Sequence, residues 1–484
     1  MRLLDSNKHT RREFLRRATT LAMAGSATPL ALNLAALGEA AAFDATDYKA
    51  LVCVFLYGGN DYANTVVPFD DASHATYSQL RGAGSGAGLV IPRAQLVATE
   101  LRPTAALPEG LRYALAPQMP ELASLFEQGR LAVQLNVGPL VVPLTKQQFN
   151  DGVLPRPPKL FSHNDQQSVW QAEGAEGSTR GWGGKIGDLA LQGNGQSMFT
   201  CISVSGNAVF LSGRNAIQYQ CSRAGAVAIE AIRGSSWGQF FYEPGMRTYF
   251  EQMLKRSHSH QLAEEYTRVV RRSLAAEQQV TGALAAVQLS TAFPEGNSLG
   301  EQLKMVARLI GARQALDVKR QVFMVSLEGF DVHDNMGPRQ VLLLRKLSQA
   351  LGAFDSALGE LGMLNRVTTF TASDFGRTLS VNGDGTDHGW GGHHFVMGGA
   401  VKGKAFYGRP APLSVGHSNA PEDQWHVGQG RLLPTTSVDQ FGATLGRWFG
   451  ASDDELHGVL PNLGNFGARG GRPDYPIDLG FMRV

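Results

Sequence analysis

Five apolar runs punctuate the chain, each followed by polar or glycine-rich residues. Residues 49–57, KALVCVFLY, form an unbroken run that ends in Gly58-Gly59-Asn60-Asp61. A run that is apolar at both parities predicts a strand buried on both faces of a parallel sheet. LAVQLNV at 131–137, QVFMVSLEGFD at 321–331, VTTFTASDFG at 367–376 and HFVMGGAV at 394–401 predict four more. Helix-like stretches at 119–128, 301–316 and 338–361 precede the second, third and fourth runs, and 437–449 predicts a closing helix. Helix alternating with buried strand predicts a mostly parallel α/β sheet with crossover helices. The stretch 172–299, with a glycine-rich start, a short strand at 200–205 and a helix at 261–284, predicts an insertion or cap over that sheet. No linker separates it, so 43–484 is expected to form a single domain.

The polar residues sit where such a sheet binds ligands. Asp61, Asp331 and Asp374 each lie at or just past the C-terminal end of a predicted strand, the edge at which open α/β sheets hold ligands. A lone aspartate there more often caps a helix; three together point to a site. The segment 373–403, SDFGRTLSVNGDGTDHGWGGHHFVMGGAVKG, adds Asp387, His388, His393 and His394. With His333, four of the twelve histidines fall within about sixty residues of one another. Carboxylate and imidazole gathered on glycine-rich loops are the raw material of a metal site. The plainer alternative is a histidine-rich loop that only hydrogen-bonds locally.

The N-terminus points to a compartment. Thr10-Arg11-Arg12-Glu13-Phe14-Leu15-Arg16 reads as a twin-arginine export signal, followed by an Ala- and Gly-rich segment and by small residues at Ala40-Ala41-Ala42. Residues 1–42 are therefore expected to be a cleaved signal, the twin-arginine translocase a partner during export, and the mature protein periplasmic or secreted. No later apolar run approaches the ~18 residues a membrane span needs. About 440 residues remain, and 43% hydrophobic content is enough to fill a large core. A formal charge of +2, without basic clusters interleaved with aromatics, gives no footprint for nucleic acid. Cys201 and Cys221 are close enough in sequence to pair in an oxidising compartment, or else remain free, while Cys53 lies in an apolar run and is expected to be buried.

FLYGGNDYANTVVPF, FSHNDQQSVWQ, GFDVHDN and SDFGRT…DHGWGGHH, in this order behind the export signal, resemble the bacterial domain-of-unknown-function family numbered 1501, within the alkaline-phosphatase and sulfatase superfamily. The resemblance spans nearly the whole chain. It implies an alkaline-phosphatase-like fold, a central mostly parallel sheet with helices on both faces, and one or two metal ions beside a Ser, Thr or modified Cys nucleophile. By order along the chain, Asp61 resembles the first metal ligand, with Asn60 beside it as a substrate contact. Ser162 resembles the nucleophile, and His163 follows it. Asp331 and His333 resemble an Asp…His ligand pair, Asp374 a later ligand, and His388 or else His393 the late ligand histidine. Arg377 is a candidate for binding the anionic substrate through its planar fork.

The chain departs from the superfamily pattern in three places. Asp374 is followed by Phe375 where the superfamily has histidine; Asp387-His388 is the available substitute. The step from Asp331 to His333 is shorter than usual. Neither Cys53, Cys201 nor Cys221 stands in the Cys-x-Pro-x-Arg context that formylglycine formation requires, which argues against a formylglycine sulfatase.

Together these readings predict a metal-dependent hydrolase or transferase of phosphate, or related sulfate, esters. Ser162 would attack in line and His163 would protonate the leaving group. Mixed O and N donors favour zinc or manganese, with magnesium or calcium where carboxylates dominate. The alternative from another class is a non-catalytic periplasmic binding or scaffold protein on a degenerate hydrolase fold.

Overall fold

The computed structural model describes residues 46–82, 88–228, 244–257 and 259–483; the export signal expected over 1–42 lies outside the described residues. Ala45–Val484 form one unit. Strand β1 (Lys49–Tyr57) is buried at every position but its two ends. A side sheet of β2 (Val66–Pro68), β3 (Glu100–Leu101) and β4 (Tyr113–Leu115) follows, with β4 in the middle and helix α1 (Asp71–Gly82) between β2 and β3. The remaining strands are β5 (Leu131–Gly138), β6 (Cys201–Ser203), β7 (Gln218–Ser222), β8 (Gly225–Ala226), β9 (Arg320–Glu328), β10 (Val367–Ser373), β11 (Gly392–Met397), β12 (Ala405–Tyr407) and β13 (Thr436–Ser437). They join β1 in a ten-stranded sheet of order β12-β5-β11-β10-β1-β9-β6-β7-β8, with β13 paired to β5.

At the centre, β1 pairs in parallel with both β9 and β10. Leu56 stands opposite Ser373 on one side and Leu327 on the other, so the three strands end level. Their exits, at Gly58, Gly329 and Asp374, therefore leave from one edge of the sheet. That register is what turns three distant aspartate-bearing turns into neighbours.

The unbroken apolar runs are explained by two cores. Ala50, Val52, Val54 and Leu56 of β1 join a cluster with α2 (Pro120–Glu127) on one face. On the opposite face Phe370 of β10 packs on Trp182 (5.6 Å between ring centroids) and on Phe441 (5.8 Å). The main helices are α3 (His163–Ala172), α4 (Trp182–Ala190), α5 (Gln261–Ala285), α6 (Ser298–Gly311), α7 (Met336–Glu360) and α8 (Val438–Phe449), with Trp182 on α4 and Phe441 on α8. Helices α6 and α7 complete the first face, while α4 and α8 cover the second.

One difference from the sequence reading has a clear physical cause. Strand β11 runs antiparallel to both β10 and β5. No helix returns the chain between β10 and β11; the excursion folds on itself through Gly376 N–H to Trp390 O (3.0 Å) and Thr378 N–H to Asp387 O (3.0 Å), so the chain re-enters from the edge it left. The stretch 172–299 contributes β6, β7 and β8 to the sheet edge as well as carrying helix α5. Cys53, Cys201 and Cys221 are buried and unpaired, so the Cys201–Cys221 pair does not form, and burial pushes the Cys221 thiol up to about 12.

Gly58 sets the turn after β1. Its φ is +114°, and a Cβ there would stand 2.2 Å from the backbone nitrogen of Asp331. A Gly58→Ala variant is expected to lose about 1–3 kcal/mol from the backbone conformation alone, with the clash adding to it. Chemical denaturation checks this; an unchanged midpoint would mean the Asp331 turn yields freely.

Candidate metal centre

Helix α3 begins at His163, after Ser162 in extended conformation, and the chain enters it through two residues with positive φ, Lys159 (+41°) and Phe161 (+74°). A bulky residue with positive φ is a strained conformation that only its surroundings maintain. Here the Phe161 carbonyl accepts from His388 Nδ1 at 2.7 Å. A carbonyl oxygen only accepts, so neutral His388 carries its proton on Nδ1 and turns the bare Nε2 inward.

The same division holds for His163. Its Nδ1 faces Asp374 Oδ2 at 2.7 Å, and its Nε2 stands 3.0 Å from His388 Nε2. His333 follows it, with Nδ1 3.5 Å from Asp387 Oδ1 and Nε2 2.9 Å from His388 Nε2. Asp331 completes the group: its carboxylate lies 3.0 Å from His333 Nε2, 3.3 Å from His163 Nε2 and 3.4 Å from His388 Nε2. Among the described residues, His163, Asp331 and His388 are the one group whose donor atoms lie close enough to share an ion, and His333 adjoins them.

The donor chemistry fits a borderline divalent ion. Imidazole lone pairs facing one another repel unless a proton or a cation lies between them. Donors tetrahedrally placed around one ion with arms of about 2.0–2.1 Å stand about 3.3 Å apart, close to the spacing here. Orientation of each imidazole by a hydrogen-bond acceptor on its far nitrogen is the usual outer support of a metal site.

The electrostatics are consistent with that arrangement. The hydrogen bond to Asp374 raises the His163 pKa against the opposing effect of burial. Burial lowers that of His388, opposed by its bond to Phe161. Burial alone would raise Asp331; the Arg377 hydrogen bond and charge, with His163 and His333, bring it below the usual carboxylate value.

Several of the other expected site residues have partners of their own. Asp374 is fully buried, and both its oxygens are taken: Oδ1 by the Gly58 N–H (3.2 Å), Oδ2 by His163 and by Gln167 Nε2 (2.8 Å). It stands behind His163 as the group that aims it. Asp61 is paired at 2.6 Å with Arg81 of α1, both side chains wholly buried, and also accepts from Ala63 N–H. His393 is buried away from the cluster, its Nδ1 accepting from Asn136 N–H at 3.1 Å. Arg377 is fully buried and committed to Gly58 O, Asp331 Oδ1, Thr386 Oγ1 and Thr386 O, so it has no edge left for a substrate. Asn60 is buried, its N–H on Ser373 Oγ and its Oδ1 on Thr65. Ser162 donates its hydroxyl to Asp165 at 2.9 Å. His163, expected from sequence to act as an acid, stands in the cluster with Asp331 and His388.

Residues 48–460 match the family described as Protein of unknown function (DUF1501). The chain belongs to the DUF1501 family. No curated protein matches it. Solved structures with some likeness include Ps i-CgsB, 10% identical over 89% of this chain and 79% of that one, TM-score 0.35. The lipoteichoic acid synthase LtaP from Listeria monocytogenes is 10% identical over 86% and 77%, TM-score 0.33. The PsFucS1 sulfatase from Pseudoalteromonas sp. is 9% identical over 85% and 69%, TM-score 0.30. Likenesses of that size leave the function of this DUF1501 chain to be argued from its own site.

Two outcomes follow from the placements of Asp61 and of the buried histidines. Asp61→Ala is expected to cost about 3–5 kcal/mol, the usual effect of stranding one member of a buried ion pair, while folded protein keeps its metal; metal loss at unchanged stability would return Asp61 to the ligand set. Burial lowers the pKa of His393 to about 4 and of His394 to about 3, so both stay neutral in the folded state while the unfolded chain takes up protons below about pH 6.5. Stability should therefore fall as pH drops from about 6.5 toward 3, and His394→Gln should flatten that fall by up to about 1.4 kcal/mol per pH unit. Urea midpoints across that range decide it; identical slopes would show His394 protonated in the folded state.

Proposed function

We propose that the protein is a metal-dependent hydrolase or transferase of phosphate, or related sulfate, esters, delivered to the periplasm or beyond by the twin-arginine route. The observation that carries this reading is the convergence of three imidazole Nε2 atoms and one carboxylate at the shared C-terminal edge of β1, β9 and β10. His163, His333, His388 and Asp331 would hold the ion, with zinc or manganese best suited to three nitrogens and one oxygen. A divalent ion there supplies Lewis acidity toward an ester oxygen and lowers the pKa of a bound hydroxyl or water.

The remaining residues prepare that site. Asp374 holds the His163 ring and is itself held by Gln167, one helical turn after His163, while the Phe161 carbonyl holds the ring of His388. Arg377 keeps Asp331 ionised and its carboxylate in place. Ser162 is the candidate nucleophile, and Asp165 accepts its hydroxyl proton. Among the described residues no helix is long and apolar enough to cross a membrane.

Elemental mass spectrometry on protein exported through its own signal tests the reading. Zinc or manganese is expected, lost in Asp331→Ala and His388→Ala while circular dichroism shows the fold intact, together with turnover of aryl phosphate or aryl sulfate. Stably folded protein that neither carries metal nor takes it up would favour the scaffold alternative. Undiminished turnover in Ser162→Ala would remove the serine and leave a water as the attacking group.

A further inference from the structure

An anionic ester at this cluster needs a cation beside it, and the arginine expected from sequence, Arg377, is buried and fully committed. Arg431 is differently placed. It closes a tight turn in which Val427 N–H donates to Arg431 O and Arg431 N–H donates to Gly428 O, both at 2.9 Å, with Gln429 and Gly430 at φ of +52° and +68°. The turn lies on the excursion between β12 and β13, and it delivers the arginine directly onto the metal-site loops. Its Nε donates to the His388 carbonyl at 2.7 Å, and its guanidinium carbon lies 5.1 Å from the centre of the Phe161 ring. Phe161 is the residue whose carbonyl orients the His388 imidazole.

The guanidinium is half-buried and forms no ion pair among the described residues; Asp387 acts on it only through space. Its Nε is committed to main chain and its ring-facing side to Phe161, which leaves the two Nη groups without a hydrogen-bond partner among the described residues. That free edge is a planar fork with parallel N–H bonds, the geometry that matches two oxygens of a tetrahedral oxyanion. Partial burial without an ion pair raises the gain from an incoming anion, because the arginine has already lost part of its hydration.

We propose that Arg431 holds the anionic head of the substrate, a tetrahedral oxyanion ester, against the His163–Asp331–His388 cluster. This assignment rests on the metal-dependent reading above. It makes Arg431 a substrate-binding residue, and it makes the excursion between β12 and β13 the part of the chain that selects an anion.

Inorganic phosphate and, separately, sulfate titrated calorimetrically into metal-loaded wild type, Arg431→Met and Arg431→Lys test it, with metal content measured on each sample. Wild type is expected to bind at least one of the two anions, and the stronger of the two names the ester class. Arg431→Met should weaken that binding about tenfold or more at unchanged metal content, with partial recovery in Arg431→Lys, which restores charge but not the fork. Equal affinity in wild type and Arg431→Met, both carrying metal, would overturn the assignment and leave the metal site standing. Metal loss accompanying anion loss in both variants would make Arg431 a support for His388 instead. Wild type that carries and takes up no metal would overturn the underlying reading, and this assignment with it.

Discussion

A single buried guanidinium holds the site together. Arg377, wholly enclosed, donates to Gly58 O after β1, to Asp331 Oδ1 after β9 and to Thr386 on the excursion after β10. Parallel pairing brings those three exits to one edge, but it does not lock them to one another; Arg377 does. A charge taken this far from water is costly unless every donor is answered, and here each nitrogen has an acceptor. The same bonds explain why Asp331, itself partly open to solvent, stays ionised and faces the imidazoles.

Around that anchor the cluster divides the two nitrogens of each histidine. The outer nitrogens of His163 and His388 meet acceptors, Asp374 and the Phe161 carbonyl, while that of His333 faces Asp387 at 3.5 Å. The inner nitrogens face one another, His388 Nε2 lying 3.0 Å from His163 Nε2 and 2.9 Å from His333 Nε2. The strained backbone at Phe161 belongs to this scheme, since positive φ is what presents that carbonyl to His388. Close backbone approach makes the glycines of the excursion necessary as well. A Cβ on Gly376 would stand 2.1 Å from Gly391 O, and one on Gly389 would stand 2.5 Å from Gly376 O.

The central strands were legible because burial on both faces leaves a mark at every position, and β1, β5, β9 and β10 carry it. The direction of β11 was not legible, because direction depends on hydrogen bonds within the 374–391 excursion rather than on any periodicity. At the site, the gathering of Asp331, His333 and His388 at one sheet edge could be anticipated from residue type and loop position. Gln167 could have been found as well, lying four residues after His163 and so on the same helical face. The Phe161 contribution could not, because it is a main-chain carbonyl with no side-chain signature. The partners of Asp61 and Asp374 were not legible for a shared reason: a carboxylate at a strand end looks the same in sequence whether it faces an ion or an arginine, an amide and an imidazole ring.

That last ambiguity bears on how many ions the chain can hold. The family resemblance allows one or two. A second ion would need Asp61, Asp374 or His393, and each is engaged elsewhere. Releasing Asp61 would strand Arg81 in the interior, and releasing Asp374 would free the His163 ring. His393 would have to give up Asn136 N–H and a fully enclosed place beside Tyr62. Each release costs a buried hydrogen bond or ion pair before any ligand bond forms. Among the described residues His163, Asp331 and His388 are the group whose donor atoms lie close enough to share an ion. On the proposed one-ion reading, the charge of an oxyanion would be met partly by protein, and Arg431 stands beside the cluster with an open edge.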